Sequence, residues 1–226
     1  MNLRPPVKQS PGKKIIMRLH FSANSNSITP EGWTRAISLD HAAELLNSPL
    51  TELRVKLTCN NESEFLACRG LLNLIKTKVK EGGFVYPEIE IDTADNELRE
   101  NFAKPVKRIK FFFNNPALLA SDNPLKVYLD DERLPDDETW YLTETPEETI
   151  ELLKTGRVNE LSLDNDLGLP NDEGKAERDG YSVCVWLEEQ VFVNRFTPPQ
   201  EMKVHSANAV ASERMRVVIM NLKKIL

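Results

Sequence analysis

The chain has 226 residues, 40% of them hydrophobic and 28% charged, with a net charge of −6, which is ordinary for a globular protein of one or two domains. No apolar run approaches the roughly 20 residues of a membrane-spanning helix, so composition argues against a membrane protein. The three cysteines lack metal-ligand spacing. We therefore expect reduced thiols in a cytoplasmic protein. If a phage encodes the chain, the expected compartment is the cytoplasm of the host.

The N-terminal half begins with residues 1–13, which lack the apolar core of a signal peptide and are predicted to form a flexible tail. Apolar spacing then predicts strands near 18–24, 52–57 and 88–93, and helices near 39–47, 65–80 and 97–102. Residues 114–124 are rich in Asn, Asp, Ser and Pro. They are predicted to be a linker.

The C-terminal half shows the same order of patterns. Strands are predicted from residue 126 and around 160–165 and 201–206, and helices around 145–154, 181–192 and from residue 213. Thr145 is the predicted N-cap of the first of these helices, with Pro146 at its first position. Glu148 is expected to close a capping box.

The two halves are related to each other. Each contains the element order β-β-α-β-α-β-α. In both halves a tryptophan follows the first strand, Trp33 in the N-terminal half and Trp140 in the C-terminal half. This predicts an α/β fold of two tandem three-layer domains with mostly parallel sheets, over residues 14–113 and 125–226. Chance similarity is the alternative to duplication.

Polar residues follow three predicted strands of the C-terminal half. Asp130-Asp131-Glu132 comes after an apolar run, Asp164-Asn165-Asp166 follows the next strand, and His205 to Asn208 follows the third. Parallel strands end at one edge of a sheet, where α/β proteins bind ligands. The sequence therefore predicts a metal and phosphate site there, with a solvated acidic turn as the alternative.

The N-terminal half lacks these acids. Phe21-Ser22-Ala23 stands where the other half has its acidic triplet, and a neutral segment near Thr58 stands where it has Asp164. We interpret this half as a degenerate copy that serves in packing or in substrate binding.

The C-terminal motifs, in order, are Leu129-Asp-Asp-Glu-Arg-Leu-Pro135, Trp140, Leu161-Ser-Leu-Asp-Asn-Asp-Leu-Gly168, Gly180-Tyr181, Trp186-Leu187, Val204-His-Ser-Ala-Asn208 and Glu213-Arg-Met215. From Leu125 onward, this set resembles the cyclic-phosphate-processing receiver-like domain. The resemblance implies a receiver-like fold, which is flavodoxin-like and Rossmannoid. It also implies action on cyclic phosphates, such as 2′,3′-cyclic phosphate ends in RNA repair.

The resemblance also implies roles for individual residues. In an ordinary receiver an acid pair holds Mg²⁺ and an Asp after the third strand accepts a phosphoryl group, which Asp130 with Asp131, and Asp164, match. The later lysine of such a site has no counterpart, which disfavours a phosphorelay. Family members commonly carry His at the position of Asn165.

Three groups of site residues are predicted. The metal ligands, for Mg²⁺ or Mn²⁺, are carboxylates: Asp130, Asp131, Asp164, Glu132 and Asp166. The catalytic residues either activate water through the metal or protonate the leaving oxygen: Asp131, Asp164 and His205. The phosphate-binding residues are donors: Ser206, Asn208, Arg133 and Arg214.

Structural alternatives exist for several of these roles. His205 is alternatively a strand cap that binds neighbouring backbone, and Ser206 and Asn208 are alternatively turn and cap residues. Arg133 is alternatively an ion-pair partner that neutralises the acids without any metal.

The sequence favours an Mg-dependent cyclic phosphodiesterase-type hydrolase that opens the cyclic phosphate of a nucleotide or an RNA end. The alternatives are a receiver-like module that binds a cyclic nucleotide or a protein partner without turnover, and a phosphoaspartate switch at Asp164. The oligomeric state stays open.

Overall fold

The computed structural model describes residues 16–22, 27–30, 35, 37–46, 52–81, 87–168 and 178–224. The chain divides into two compact units, Met1–Pro116 and Ala117–Leu226, here called the N-terminal unit and the C-terminal unit. The predicted tail at 1–13 lies outside the described residues.

The N-terminal unit contains a four-stranded sheet of order β2-β1-β3-β4. β1 and β2 are antiparallel, and the other neighbours are parallel. The elements are β1 (Ile16–Ser22), β2 (Ser27–Pro30), α1 (Leu39–Leu46), β3 (Glu52–Thr58), α2 (Glu62–Lys80), β4 (Pro87–Asp92) and α3 (Asn96–Ala120), the last of which continues past Pro116 into the C-terminal unit.

The C-terminal unit contains a second sheet, of order β6-β5-β7-β8, in which all neighbours are parallel. Its elements are β5 (Leu125–Leu129), β6 (Trp140–Thr143), α4 (Pro146–Leu153), β7 (Val158–Leu163), α5 (Gly180–Asn194), β8 (Glu201–Val204) and α6 (Ala209–Lys223). The predicted element order is confirmed in both units, and so is the α/β class with mostly parallel sheets.

Local signals explain where the helices of the C-terminal unit begin. Thr145 is the N-cap of α4, as predicted, since its hydroxyl accepts from the backbone N–H of Glu148. The Glu148 carboxylate returns to the backbone N–H of Glu144, the residue before the cap. Asp179 and Asn208 cap α5 and α6 in the same way.

The layering differs from the prediction. The connections from β6 to β7 and from β7 to β8 run in the same direction across the sheet. Right-handed crossovers therefore place α4 and α5 on the same face. α6 packs on α5, and the side chains of Leu125, Val127 and Leu129 are buried in the core that these helices cover. The connection from β5 to β6 runs the other way and contains no helix. The unit therefore has two layers, and the expected third layer is absent from its described residues.

One face of the N-terminal sheet is open to solvent, and on it Arg54 pairs with Glu88 and Lys56 pairs with Glu90. All four side chains are 44% or more exposed, so no further layer covers them.

Two more findings bear on the predicted organisation. α3 continues to Ala120, so only residues 121–124 of the predicted linker lie outside a helix. The predicted domain bounds and the duplication itself stay predictions. None of the helices in the described ranges combines the length and apolarity needed to span a membrane.

Candidate functional site

Three polar residues of the C-terminal unit extend the strands of its sheet by one residue each. The backbone N–H of Asp130 donates to Thr143 O, that of Asp164 to Leu129 O, and that of His205 to Leu163 O. These bonds continue the parallel ladder, so all three side chains are fixed at the carboxyl edge of the sheet. The sequence predicted that these three strand ends lie at one edge of the sheet, and the backbone hydrogen bonds place them there.

The acids at this edge form a tight cluster. One carboxylate oxygen from each of Asp130, Asp131 and Asp164 lies within 4.8 Å of the others. Asp130 is 0% exposed and Asp164 is 4% exposed. Buried carboxylates at this separation repel each other strongly unless positive charge or donors compensate. Among the described residues, this is the only group of three or more acidic, His or Cys side chains with metal-site spacing.

Asp130 accepts four hydrogen bonds. Its Oδ1 accepts from the backbone N–H of Glu132 at 2.7 Å and of Arg133 at 2.5 Å. Its Oδ2 accepts from Arg133 Nε at 2.9 Å and is 3.1 Å from His205 Nε2. The first pair forms a tight turn after β5, and the second pair joins Asp130 to the guanidinium of Arg133 and to His205 at the end of β8.

These contacts decide the protonation state of Asp130. Burial by itself would raise the pKa of its carboxyl group. The hydrogen bonds from His205 and from the backbone of Arg133 and Glu132, with the charge of Arg133, outweigh burial and lower the pKa from 3.8 to about 2. Asp130 is therefore ionised at neutral pH despite its burial.

Arg133 bridges the acids. Its Nη2 lies 2.8 Å from Asp164 Oδ1, and its Nη1 donates to the backbone oxygen of His205 at 2.7 Å. With its bond to Asp130, one guanidinium therefore binds the ends of β5, β7 and β8. The structure supports the ion-pair role that the sequence left open for Arg133, while phosphate binding stays a prediction.

His205 uses both ring nitrogens. Since an ionised carboxylate can only accept, Nε2 carries the proton that is shared with Asp130. Nδ1 lies 2.8 Å from Ser162 Oγ, and the ring stacks on Tyr128 with 4.2 Å between centroids. His205, at the end of β8, is thus held by residues of β5 and β7. Burial raises the pKa of Tyr128 to about 12, and the nearby charge of Asp130 adds to this shift.

The donor set fits a hard cation. Asn165 donates through Nδ2 to Asp166 Oδ1, which fixes the orientation of its amide. Its Oδ1 is buried and has no hydrogen-bond partner in the described part of the chain. Gly168 has φ +53, and a Cβ there would lie 2.8 Å from Asp131 Oδ2. Three carboxylates and a spare amide oxygen are the ligands that Mg²⁺ and Mn²⁺ take.

The other predicted residues are placed less centrally. Asn208 caps α6 and donates to Asp166 Oδ1 at 3.4 Å, and Ser206 Oγ accepts from the backbone N–H of Asn208. These are the cap and turn roles named as alternatives. Glu132 has an exposed side chain, and Arg214 stacks on Tyr181 at 4.2 Å. Their predicted site roles stay predictions.

Besides the Asn165 amide oxygen, three contributors were not predicted from the sequence. Ser162 and Tyr128 hold His205 from neighbouring strands, and Gly180 lies so close to the site that a Cβ would be 1.7 Å from the backbone oxygen of Asp164. A lone serine between Leu161 and Leu163 was the available signal for Ser162, because a hydroxyl in an apolar strand needs a partner.

The N-terminal unit differs at the corresponding edge. Its register pairs Ser22 with Thr58, and Thr58 with Asp92. The positions that carry Asp130, Asp164 and His205 in the other unit therefore carry a single acid here, and Asp92 is paired with Lys56 at 3.1 Å.

A comparison with protein families finds one match that bears on the site. Residues 125–221 match the family described as the cyclic-phosphate processing Receiver domain. The resemblance inferred for the C-terminal half is therefore confirmed. No curated protein and no solved structure matches the chain.

Proposed function

We propose that the C-terminal unit hydrolyses cyclic phosphates, opening the ring to a phosphate monoester on a nucleotide or an RNA end. The observation that carries this proposal is the edge cluster of Asp130, Asp131 and Asp164 with Arg133 and His205, in a region that matches a cyclic-phosphate processing family. A cluster of this composition supplies oxygen ligands, a cationic fork and a proton donor within one site.

Asp131 and Asp164 would hold a divalent cation, Mg²⁺ or Mn²⁺, together with an oxygen of Asp130 or Asn165. Such a cation, when bound, polarises a phosphoryl oxygen and lowers the pKa of a bound water. Asp166, which bonds both Asn165 and Asn208, would orient the amide ligand.

The reaction adds one water to the cyclic diester. The water oxygen bonds to phosphorus, the bond from phosphorus to one ribose oxygen breaks, and that oxygen takes a proton. His205 would supply this proton from Nε2 and take up the proton that the attacking water loses, while its contacts with Ser162 and Tyr128 keep the ring in place. Positioned proton transfer of this kind contributes roughly 100- to 10,000-fold to a rate.

The test is a turnover screen with 2′,3′-cyclic mononucleotides, an RNA ending in a 2′,3′-cyclic phosphate and 3′,5′-cyclic nucleotides, each with and without EDTA. We expect turnover of a 2′,3′-cyclic phosphate that EDTA abolishes. The matched pair His205→Gln and His20→Gln separates catalysis from general effects, since His20 also contacts a strand hydroxyl, Thr58 Oγ1, at 3.0 Å. Only His205→Gln should lose activity.

Absence of turnover for every substrate would overturn the enzyme proposal. One observation favours a rival, a module that binds a cyclic nucleotide or a protein partner without turnover: Arg133 already compensates part of the charge of Asp130 and Asp164. Ligand binding that ignores EDTA and the Asp131→Asn substitution would establish that rival. A mass increase with acetyl phosphate that is lost in Asp164→Ala would instead indicate a phosphoaspartate switch.

A further inference from the structure

Arg133 binds two of the three carboxylates that could hold the proposed cation. Its Nε donates to Asp130 Oδ2 at 2.9 Å, and its Nη2 lies 2.8 Å from Asp164 Oδ1. The guanidinium supplies positive charge to two buried acids that would otherwise repel each other. A cation bound to these oxygens would meet the guanidinium at the same positions.

Asp130 has no spare acceptor capacity for such a cation. A carboxylate offers about four lone-pair sites, and Asp130 uses them for two backbone N–H groups, Arg133 Nε and His205 Nε2. A metal bond therefore requires one donor to leave. The backbone donors are fixed by the turn, and the His205 side chain is only 20% exposed. The Arg133 side chain is 41% exposed, so its guanidinium is the donor with room to turn toward solvent.

We infer that Arg133 and a divalent cation compete for Asp130 and Asp164, and that cation binding frees the guanidinium to hold the substrate phosphate. The second part rests on the proposed function, because it requires a phosphate-bearing ligand. The backbone N–H of Arg133 stays on Asp130 Oδ1, so the side chain turns about a fixed point. The planar guanidinium fork suits two phosphate oxygens as well as it suits carboxylates.

This competition couples the two ligands. A phosphate that holds the guanidinium away from the acids removes a competitor and raises the affinity for the cation. By linkage, the cation raises the affinity for phosphate by the same factor. Couplings between sites are typically about 5- to 150-fold. Replacing Arg133 by Gln removes the competitor and the guanidinium contact to phosphate together, so the cation should bind more tightly and the coupling should fall to what direct contact between phosphate and metal supplies.

The experiment is a titration of the full chain with Mn²⁺ alone, followed by electron paramagnetic resonance, and repeated with inorganic phosphate. We expect Arg133→Gln to bind Mn²⁺ about tenfold more tightly than the unmodified chain. Phosphate should raise the Mn²⁺ affinity of the unmodified chain by a similar factor, and should raise that of Arg133→Gln by a smaller factor. A structural role for Arg133 alone would not tighten metal binding.

Arg178→Gln is the matched control. The Arg178 side chain is also 41% exposed and binds a carboxylate, that of Glu147, so the substitution removes the same charge from the same unit. Its Mn²⁺ affinity should equal that of the unmodified chain. Circular dichroism checks folding. If Arg133→Gln does not fold, Arg133→Lys carries the test: it keeps the charge without the fork, and its affinity should lie above that of the unmodified chain.

Mn²⁺ binding to a folded Arg133 variant that is equal to, or weaker than, binding to the unmodified chain would overturn the inference. This result is independent of turnover. Tighter Mn²⁺ binding in Arg133→Gln without hydrolysis of any cyclic phosphate would support the competition and remove the proposed enzyme. Hydrolysis of a cyclic phosphate with unchanged Mn²⁺ affinity in Arg133→Gln would support the proposed enzyme and overturn the competition.

Discussion

Asp130→Asn is the most informative perturbation of the edge cluster. Asparagine can still accept the two backbone N–H groups of the turn through one oxygen. Its amide nitrogen would face Arg133 Nε and His205 Nε2, both of which donate to the native carboxylate. The substitution therefore removes a negative charge and sets one donor against two others, in a site where the side chain is 0% exposed.

The magnitude follows from the pKa of Asp130, which falls from 3.8 to about 2 on folding. At about 1.36 kcal/mol per pH unit, the folded site favours the ionised form by between 2 and 3 kcal/mol. Because the folded pKa is depressed, this contribution is fully present above pH 3.8 and is lost as the pH falls toward 2. Leaving the partners of a buried charge unpaired costs about 3–5 kcal/mol, so we expect a loss of about 2–5 kcal/mol at pH 7.

Urea unfolding measured by tryptophan fluorescence gives this quantity. Trp140 and Trp186 lie in the C-terminal unit, and a Trp33→Phe background restricts the signal to them. Asp122→Asn is the control, since Asp122 is exposed in the same unit, and it should change stability by less than about 0.5 kcal/mol. Equal losses in the two variants at pH 7, or a deficit in Asp130→Asn that does not shrink in acid, would refute the reasoning.

Three further predictions concern stability. Gly180→Ala should lower the free energy of unfolding by at least about 1–3 kcal/mol in urea unfolding, because its Cβ would lie 1.7 Å from a backbone oxygen. Gly156→Ala is the control: Gly156 has φ +68 and open space around it, so this substitution should cost only about 1–2 kcal/mol. Equal costs would contradict the prediction. Burial raises the pKa of Tyr128 and of Tyr141 to about 12. The contribution of each neutral phenol to the free energy of unfolding is therefore full below pH 10 and is lost as the pH rises toward 12. Each Tyr→Phe variant should remove one late step from an ultraviolet tyrosinate titration, and an unchanged titration curve would contradict this prediction. Thr145→Ala should lower the unfolding free energy by about 1 kcal/mol through loss of the α4 N-cap, with Thr145→Ser, which keeps the hydroxyl, as the control that should stay close to the unmodified chain.

The order of elements was predictable because it depends on local signals. Alternating apolar residues such as Val127 and Leu129, and caps such as Thr145, act over a few positions and are visible in the sequence. The layering depends instead on the direction in which each connection crosses the sheet. The end of α3 was not predicted, because a proline such as Pro116 usually ends a helix, whereas α3 continues past it.

The site was predictable at the level of its strand ends. Acids that directly follow apolar strands meet at one edge, which brought Asp130 and Asp164 together as expected. The partners of His205 depend on strand register, which places Ser162 beside Lys203 and leaves its hydroxyl within reach of the next strand end. Register is a tertiary property, so sequence patterns alone did not identify this contact.

The contrast between the two sheets locates the proposed chemistry. Both have the same strand order and the same parallel core pairs, so both bring three strand ends to one edge. In the N-terminal unit, the register places one acid there, Asp92, whose charge Lys56 already balances. In the C-terminal unit, one guanidinium contacts two of three clustered carboxylates, which leaves a net negative charge that a divalent cation can offset. If a cation displaces Arg133 as inferred, the guanidinium turns to solvent, where it would be able to bind a phosphate.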